Sequence, residues 1–169
     1  SARRASKREC GGIFKTTGTA FRQGLGKEGV MAQAVIMAGG PGERFWPMTH
    51  GKFPKYRIQF NGKDSLLQKT YQRLLRVYHK DSITVVTTEP HSKLIREELP
   101  RIKRRNLLIE PARNNTAAAI FLSCEVIRDR FGGEETVSFF PADHLIQNES
   151  EFSKTMRSAI RLAETKELL

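Results

Sequence analysis

A chain of 169 residues has room for one domain, or for one domain and a tail. Its 38% hydrophobic and 28% charged residues are those of an ordinary soluble globular protein, and no apolar run approaches the ~20 residues that a membrane-spanning helix requires. The net charge of +11 suits a phosphate-rich ligand and would also suit nucleic acid.

Residues 1–30 differ in kind from the rest. They carry seven basic and two acidic side chains, six scattered glycines and only isolated apolar residues. They are expected to be a disordered tail or a non-native leader, with a targeting or nucleic-acid-binding arm as the lesser reading. Met31 reads as a natural start, so the domain is expected over 31–169.

From Met31 onward strand and helix signals alternate. Ala34 to Ala38 is a short apolar run, expected to be a buried parallel strand because such strands are covered on both faces. Ser65 is placed to cap a helix bearing Leu66, Leu67, Thr70, Tyr71, Leu74, Leu75 and Tyr78 at 3.6-residue spacing. The β-branched run Ile83–Thr88 predicts a second strand. A short helix is expected over about 91–99, stopping at Pro100, and Leu107–Ile109 predicts a third strand ending in Glu110-Pro111. Asn115 or Thr116 is expected to cap an apolar helix that runs to about Phe131 and stops at Gly132-Gly133. Thr136–Phe140 predicts a fourth strand, and a last helix is expected from about Glu151. Such alternation means βαβ units with right-handed crossovers: an α/β, Rossmann-like three-layer sandwich with a mainly parallel sheet.

Sheets of this kind bind ligands at the carboxyl ends of their strands. Three chemically interesting loops fall there: Gly39–Arg44, Glu110–Thr116 and Pro141–His144. In the first, Gly39-Gly40-Pro41-Gly42 leaves the backbone free to approach a ligand, with the cations Arg44 and Lys55 nearby in sequence. The spacing is neither that of a P-loop nor that of a dinucleotide fingerprint, since Phe45 stands where the third glycine of the latter would fall. Cys10 and Cys124 lie too far apart for a metal or redox motif; Cys124, in an apolar helix, is expected to be a buried thiol, which favours a reducing cytoplasm.

The pattern Gly39-Gly40-x-Gly42-x-Arg44-x-Trp46-Pro47 with a downstream Pro54-Lys55 resembles the signature of the sugar-1-phosphate nucleotidyltransferases. The Trp46-Pro47 pair is similar to their mannose-1-phosphate guanylyltransferase branch. Glu110-Pro111 with Asn115-Thr116 resembles a second block of that family, and Pro141-Ala142-Asp143-His144 a third. Two departures are visible: Asn114 stands where a basic residue is common, with Arg113 one place earlier, and Tyr56-Arg57 follow Lys55 in place of Gln-Phe.

The resemblance implies a nucleotidyltransferase fold, truncated, and a reaction in which a sugar phosphate displaces pyrophosphate from a nucleoside triphosphate. It implies catalytic roles for Arg44, Lys55 and Asp143, and nucleotide binding by Ala38, Gly39, Gly40, Gly42, Glu43, Arg44, Glu110, Asn115 and Thr116. Asp143 would hold Mg²⁺, which prefers carboxylate, phosphate and water oxygens, with His144 a hydrogen-bonding neighbour. GTP and a sugar 1-phosphate, mannose 1-phosphate by resemblance, are the implied partners. Guanine presents two adjacent donors that one carboxylate can accept, which makes Glu110 a candidate for base selection. The plain alternatives are a strand-end carboxylate beside a helix cap and a capping aspartate in a turn. A complete family member continues into a sugar-phosphate-binding half, so this chain is expected to be the nucleotide-binding N-terminal portion. A sister transferase with another sugar or base, and a nucleotide-binding module without turnover, remain alternatives. A homo-oligomer is left open, sequence-specific nucleic-acid binding is the lesser reading of the charge, and no membrane partner is expected.

Overall fold

The computed structural model describes residues 32–40, 54–59, 62–112 and 115–165. Residues 1–30, with the expected tail or leader, and 41–53, with most of the glycine loop, lie outside them, as do 31, 60–61, 113–114 and 166–169. Among the described residues four strands form one parallel sheet: β1 (Gln33–Met37), β2 (Ile83–Thr88), β3 (Leu107–Glu110) and β4 (Val137–Pro141), in the order β3-β2-β1-β4. Four described helices accompany them: α1 (Leu66–Leu74), α2 (Glu89–Glu98), α3 (Asn115–Phe131) and α4 (Glu149–Glu164). The expected α/β parallel architecture is what forms. No described helix is long and apolar enough to cross a membrane.

Local chemistry explains most of the boundaries. At the start of α1 the Ser65 side chain accepts from the Gln68 N–H while the Gln68 side chain accepts from the Ser65 N–H, a reciprocal capping box. That helix ends at Leu74, and the chain reaches Tyr78 through turns in which the Tyr78 N–H still donates to Leu74 O at 2.8 Å. The second helix starts at Glu89, two residues earlier than expected, because Pro90 is tolerated in a first turn where its missing N–H costs nothing. The fourth starts at Glu149, where the Asn148 side chain accepts from Glu151 N–H at 3.0 Å. Gly132, at φ +101°, ends α3 in the left-handed conformation that glycine adopts freely. The described 3₁₀ turns, Lys55–Arg57, Lys80–Ser82 and Arg104–Asn106, have no periodic signal that would have announced them.

The two faces of the sheet carry separate apolar clusters. On one, Ala34, Ile36 and Ala38 of the β1 segment meet Ile83 and Val85 of β2, Leu67 and Leu74 of α1, and Ile95 of α2. Phe152, Met156 and Ile160 of α4 close its outer side. On the other, Val35 and Val86 meet Ala119 and Ile127 of α3. Cys124, expected to be buried, is only half-buried. The covered stripe of α3 runs through Ala119, Ser123 and Ile127 at four-residue steps, and Cys124 sits about 100° around the helix from Ser123.

Candidate functional site

Strand β1 is central, paired to β2 on one side and to β4 on the other, so the chain order reverses beside it. Beside such a reversal, at the carboxyl ends of the strands, is where open α/β sheets form their ligand-binding crevice. The end of β1 is pinned from both neighbours. Ala38 N–H donates to Val86 O at 2.9 Å, Ala142 N–H donates to Met37 O at 3.2 Å, and the buried Thr87 hydroxyl donates to Ala38 O at 2.7 Å. Thr87 was not a sequence-level candidate, since a threonine inside a β-branched run signals only a strand.

Glycines 39 and 40 follow directly, and their lack of side chains matters. A Cβ on Gly39 would stand 3.4 Å from Glu110 Oε2 and 3.7 Å from Thr88 Cγ2. One on Gly40 would stand 3.4 Å from Lys55 Cε. The two glycines are therefore the floor over which Glu110 and Lys55 reach. Glu110 gets there through register: β2 runs on past the residue paired with Met37, and Thr88 pairs with Glu110.

Lys55 comes from the 3₁₀ turn that follows Pro54. Tyr56 anchors that turn, being 1% exposed and edge-on to the His91 ring at 5.7 Å between centroids. Arg57 anchors it further through Glu98, Nε to Oε1 at 2.8 Å. The departure Tyr56-Arg57 thus supplies its own packing and ion pair. Held this way, Lys55 Nζ lies 2.6 Å from Asp143 Oδ2, just past the end of β4. A partly exposed pair of this kind adds about 1 kcal/mol or less, so its consequence is position rather than stability.

The two carboxylates differ. Asp143 has a cation against it, whereas the Glu110 side chain makes no hydrogen bond or ion pair among the described residues. Burial alone pushes the Glu110 carboxyl above its ordinary value. Among the described residues its carboxylate is an acceptor with no donor against it.

Among the described residues no group of three or more His, Cys, Asp or Glu side chains is arranged to hold a metal ion. Asp143 offers one carboxylate at the edge of the crevice. That donor set does not make a protein-only zinc or calcium cage, but it fits Mg²⁺, which keeps several waters and takes one or two carboxylates together with substrate phosphates.

The structure therefore brings Ala38, Gly39, Gly40, Lys55, Glu110 and Asp143 to one place. Gly42, Glu43 and Arg44, with Phe45 and Trp46, lie outside the described residues. Asn115 and Thr116 stand at the start of α3, and no bond joins them to the other site residues among those described. Asn115 occupies the first helical position at φ +63°, a left-handed conformation that asparagine tolerates better than most residues, rather than the expected capping geometry. The His144 side chain is exposed, and its recorded bond is through its main-chain carbonyl, to Arg73. The basic run Lys103-Arg104-Arg105 lies before β3, at the far end of the sheet, where Lys103 and Arg105 both pair with Asp81.

A family profile described as Nucleotidyl transferase matches residues 33–169. The chain is 35% identical over 136 residues to a mannose-1-phosphate guanylyltransferase of Klebsiella pneumoniae, an alignment that takes in 79% of this chain and 28% of that protein. It is 31% identical over 137 residues to the alginate biosynthesis protein AlgA of Pseudomonas fluorescens, covering 80% and 28%. Among solved structures, one described as a mannose-1-phosphate geranyltransferase from Thermus thermophilus superposes with a TM-score of 0.70 at 28% identity, over 80% of this chain and 39% of that one. The chain thus spans less than a third of the length of the curated relatives it matches. Glycines at a strand end, a lysine over them, a carboxylate from a neighbouring strand and the matched profile agree: the chain belongs to the nucleotidyl transferase family.

Proposed function

We propose that this chain is the nucleotide-binding part of a mannose-1-phosphate guanylyltransferase acting in the cytoplasm. It would take GTP and mannose 1-phosphate, with Mg²⁺, to GDP-mannose and pyrophosphate. The observation that carries the reading is the meeting of Lys55 and Asp143 beside Gly40, where side-chain-free backbone leaves room for phosphates to approach. The names of relatives described as mannose-1-phosphate guanylyltransferases support that choice of substrates.

Chemically, an oxygen of the sugar phosphate attacks the α-phosphorus in line. The P–O bond to the β-phosphate breaks, and pyrophosphate leaves with the electron pair. Such a transfer needs positioning and charge neutralisation rather than a protein nucleophile. The Gly39 and Gly40 backbone lets phosphates approach closely, and Lys55, a mobile point charge, follows the negative charge that develops on the leaving group. Arg44 would grip phosphate oxygens in the two-pronged manner of a guanidinium. Mg²⁺, when bound, would supply positive charge to offset the negative charge of the phosphates. Asp143 is the residue that would hold it, and Lys55 keeps that carboxylate facing the crevice. Glu110, whose carboxylate has no partner among the described residues, would offer both oxygens to the N1–H and 2-amino group of guanine. Asn115 and Thr116 would close on the nucleotide from the start of α3.

Calorimetric titration of GTP, ATP and UTP, with and without Mg²⁺, tests this. GTP should bind best, Glu110→Gln should weaken GTP more than ATP, and Asp143→Ala should abolish the gain from Mg²⁺. Equal losses for both purines in Glu110→Gln would remove the base-selection role. Pyrophosphate release from GTP and mannose 1-phosphate would separate this reading from that of a nucleotide-binding module without turnover.

A further inference from the structure

Arg73 is a charged residue where the α1 pattern asks for an apolar one. Leu66, Thr70 and Arg73 follow one another at helical spacing along the buried stripe, and Arg73 is only 2% exposed. A guanidinium stays charged inside a protein, so its burial is costly unless its five donors are used. Here they are used in part. Nη2 donates to Thr70 Oγ1 at 3.0 Å and to His144 O at 3.3 Å, while Nε and Nη1 find no partner among the described residues. The guanidinium carbon lies 5.3 Å from the centre of the Phe152 ring of α4. A methionine would fill similar space without desolvating a charge, and such replacements are often neutral or stabilising. Stability is therefore a poor account of this arginine.

Its partners suggest a better one. The segment from Asp143 to Asn148 joins β4 to α4, and His144, Leu145, Gln147 and Asn148 along it are exposed. Ala142, just before Asp143, is bonded to the end of β1. Beyond Asp143 the next hold from another element, among the described residues, is the bond from Arg73 to the His144 carbonyl. Asp143 is thus gripped on both sides, by the sheet before it and by Arg73 after it.

We infer that Arg73 is a positioning residue for Asp143, fixing the main chain one residue beyond the carboxylate so that its oxygens face Lys55 and the crevice. This rests on the proposed role of Asp143 in holding Mg²⁺. Arg73 touches neither metal nor nucleotide; it acts through the loop. Outer-shell partners of this kind are worth roughly 10- to 100-fold in metal affinity.

The test is a double-mutant cycle read by calorimetry. GTP affinity is measured in Mg²⁺ and in EDTA for the unaltered chain, Arg73→Met, Asp143→Ala and the double variant. Arg73→Met should lower the Mg²⁺-dependent gain roughly 10-fold or more while leaving affinity in EDTA unchanged. The double variant should be no worse than Asp143→Ala, because residues acting through one another are not additive. Arg73→Lys, which keeps the charge and some of the donors, should recover part of the gain. If Arg73→Met does not fold, Thr70→Val, which removes the acceptor that orients the guanidinium toward the His144 carbonyl, should show part of the same selective loss. An unaltered gain in the folded variants, or additive losses in the double variant, would overturn the inference while leaving the Asp143 role standing. An unaltered gain in Asp143→Ala would overturn that role, and the inference with it.

Discussion

Among the described residues the same sheet is covered very differently on its two faces. Ile36 and Val35 are neighbours in β1, and both are fully buried, yet they belong to different cores. Ile36 lies in a cluster walled by α1, α2 and α4, into which Tyr56, the turn that carries Lys55, and Ala142, next to Asp143, are also built. Val35 lies in a thinner cluster under α3, where Val86, Ala119 and Ile127 are the other buried members. α3 carries no charge before Glu125, but a helix against a sheet buries only the stripe that faces it, and Phe121 is left 68% exposed. The face that supports the crevice is the one that is densely packed. Loops are precise only when the elements beneath them are rigid, so side chains that must meet within about 3 Å gain from being built on the better-filled core.

Identical truncations on the two faces should break or confirm this difference. Ile95→Ala, under α2 on the thick face, should cost about 4 kcal/mol of unfolding free energy, near the upper part of the range for buried isoleucine. Ile127→Ala, on the thin face, should cost about 2 kcal/mol, because fewer neighbours line the cavity it leaves. Denaturant unfolding of the two variants measures both, and equal losses would mean that the faces are equally well packed. Ser65→Ala removes one half of the capping box that starts α1 and should cost about 1 kcal/mol on the thick face. A loss below about 0.3 kcal/mol would show that packing alone sets that helix start.

A smaller effect concerns pH. Burial raises the Glu110 carboxyl above its ordinary value, so between the unfolded and folded values the native chain binds more protons than the unfolded one. Stability contributed by this group is therefore present at acid pH and lost as pH rises from the ordinary carboxylate range through the raised folded value. Glu110→Gln should flatten that part of the stability profile and leave the chain slightly more stable at neutral pH. A steeper profile in the variant would contradict the account. Smallest of all, Phe121→Gln should change stability by less than about 0.5 kcal/mol, as exposed positions usually do. A larger loss would mean that the thin face is closed by more than α3.

The crevice was legible in part. Gly39, Gly40, Lys55, Glu110 and Asp143 could be nominated because glycines, cations and carboxylates at strand ends are chemically conspicuous, and the structure gathers them. Asn115 and Thr116 were nominated on the same ground, but no bond among the described residues draws them to the others. Thr87 and Arg73 were missed for opposite reasons. The threonine agrees with its strand and so draws no notice, while the arginine conflicts with its helix stripe, a signal that was there to be read. Cys124 shows the limit of composition, since an apolar helix does not reveal which side will be covered.

What the amino-acid sequence determined by itself was local. The alternation of β and α, the limits of β2, the Ser65 start of α1 and the Gly132 stop of α3 all follow from side-chain period, capping and backbone freedom within a few residues. Tertiary structure decided the rest: the order β3-β2-β1-β4, the face each helix buries, the turn of Lys55 toward Asp143 and of Glu110 toward Gly39, and the grip of Arg73 on His144. Those pairings join residues far apart in the chain. They exist only once strand register and helix packing have brought the elements together, and no local pattern encodes them.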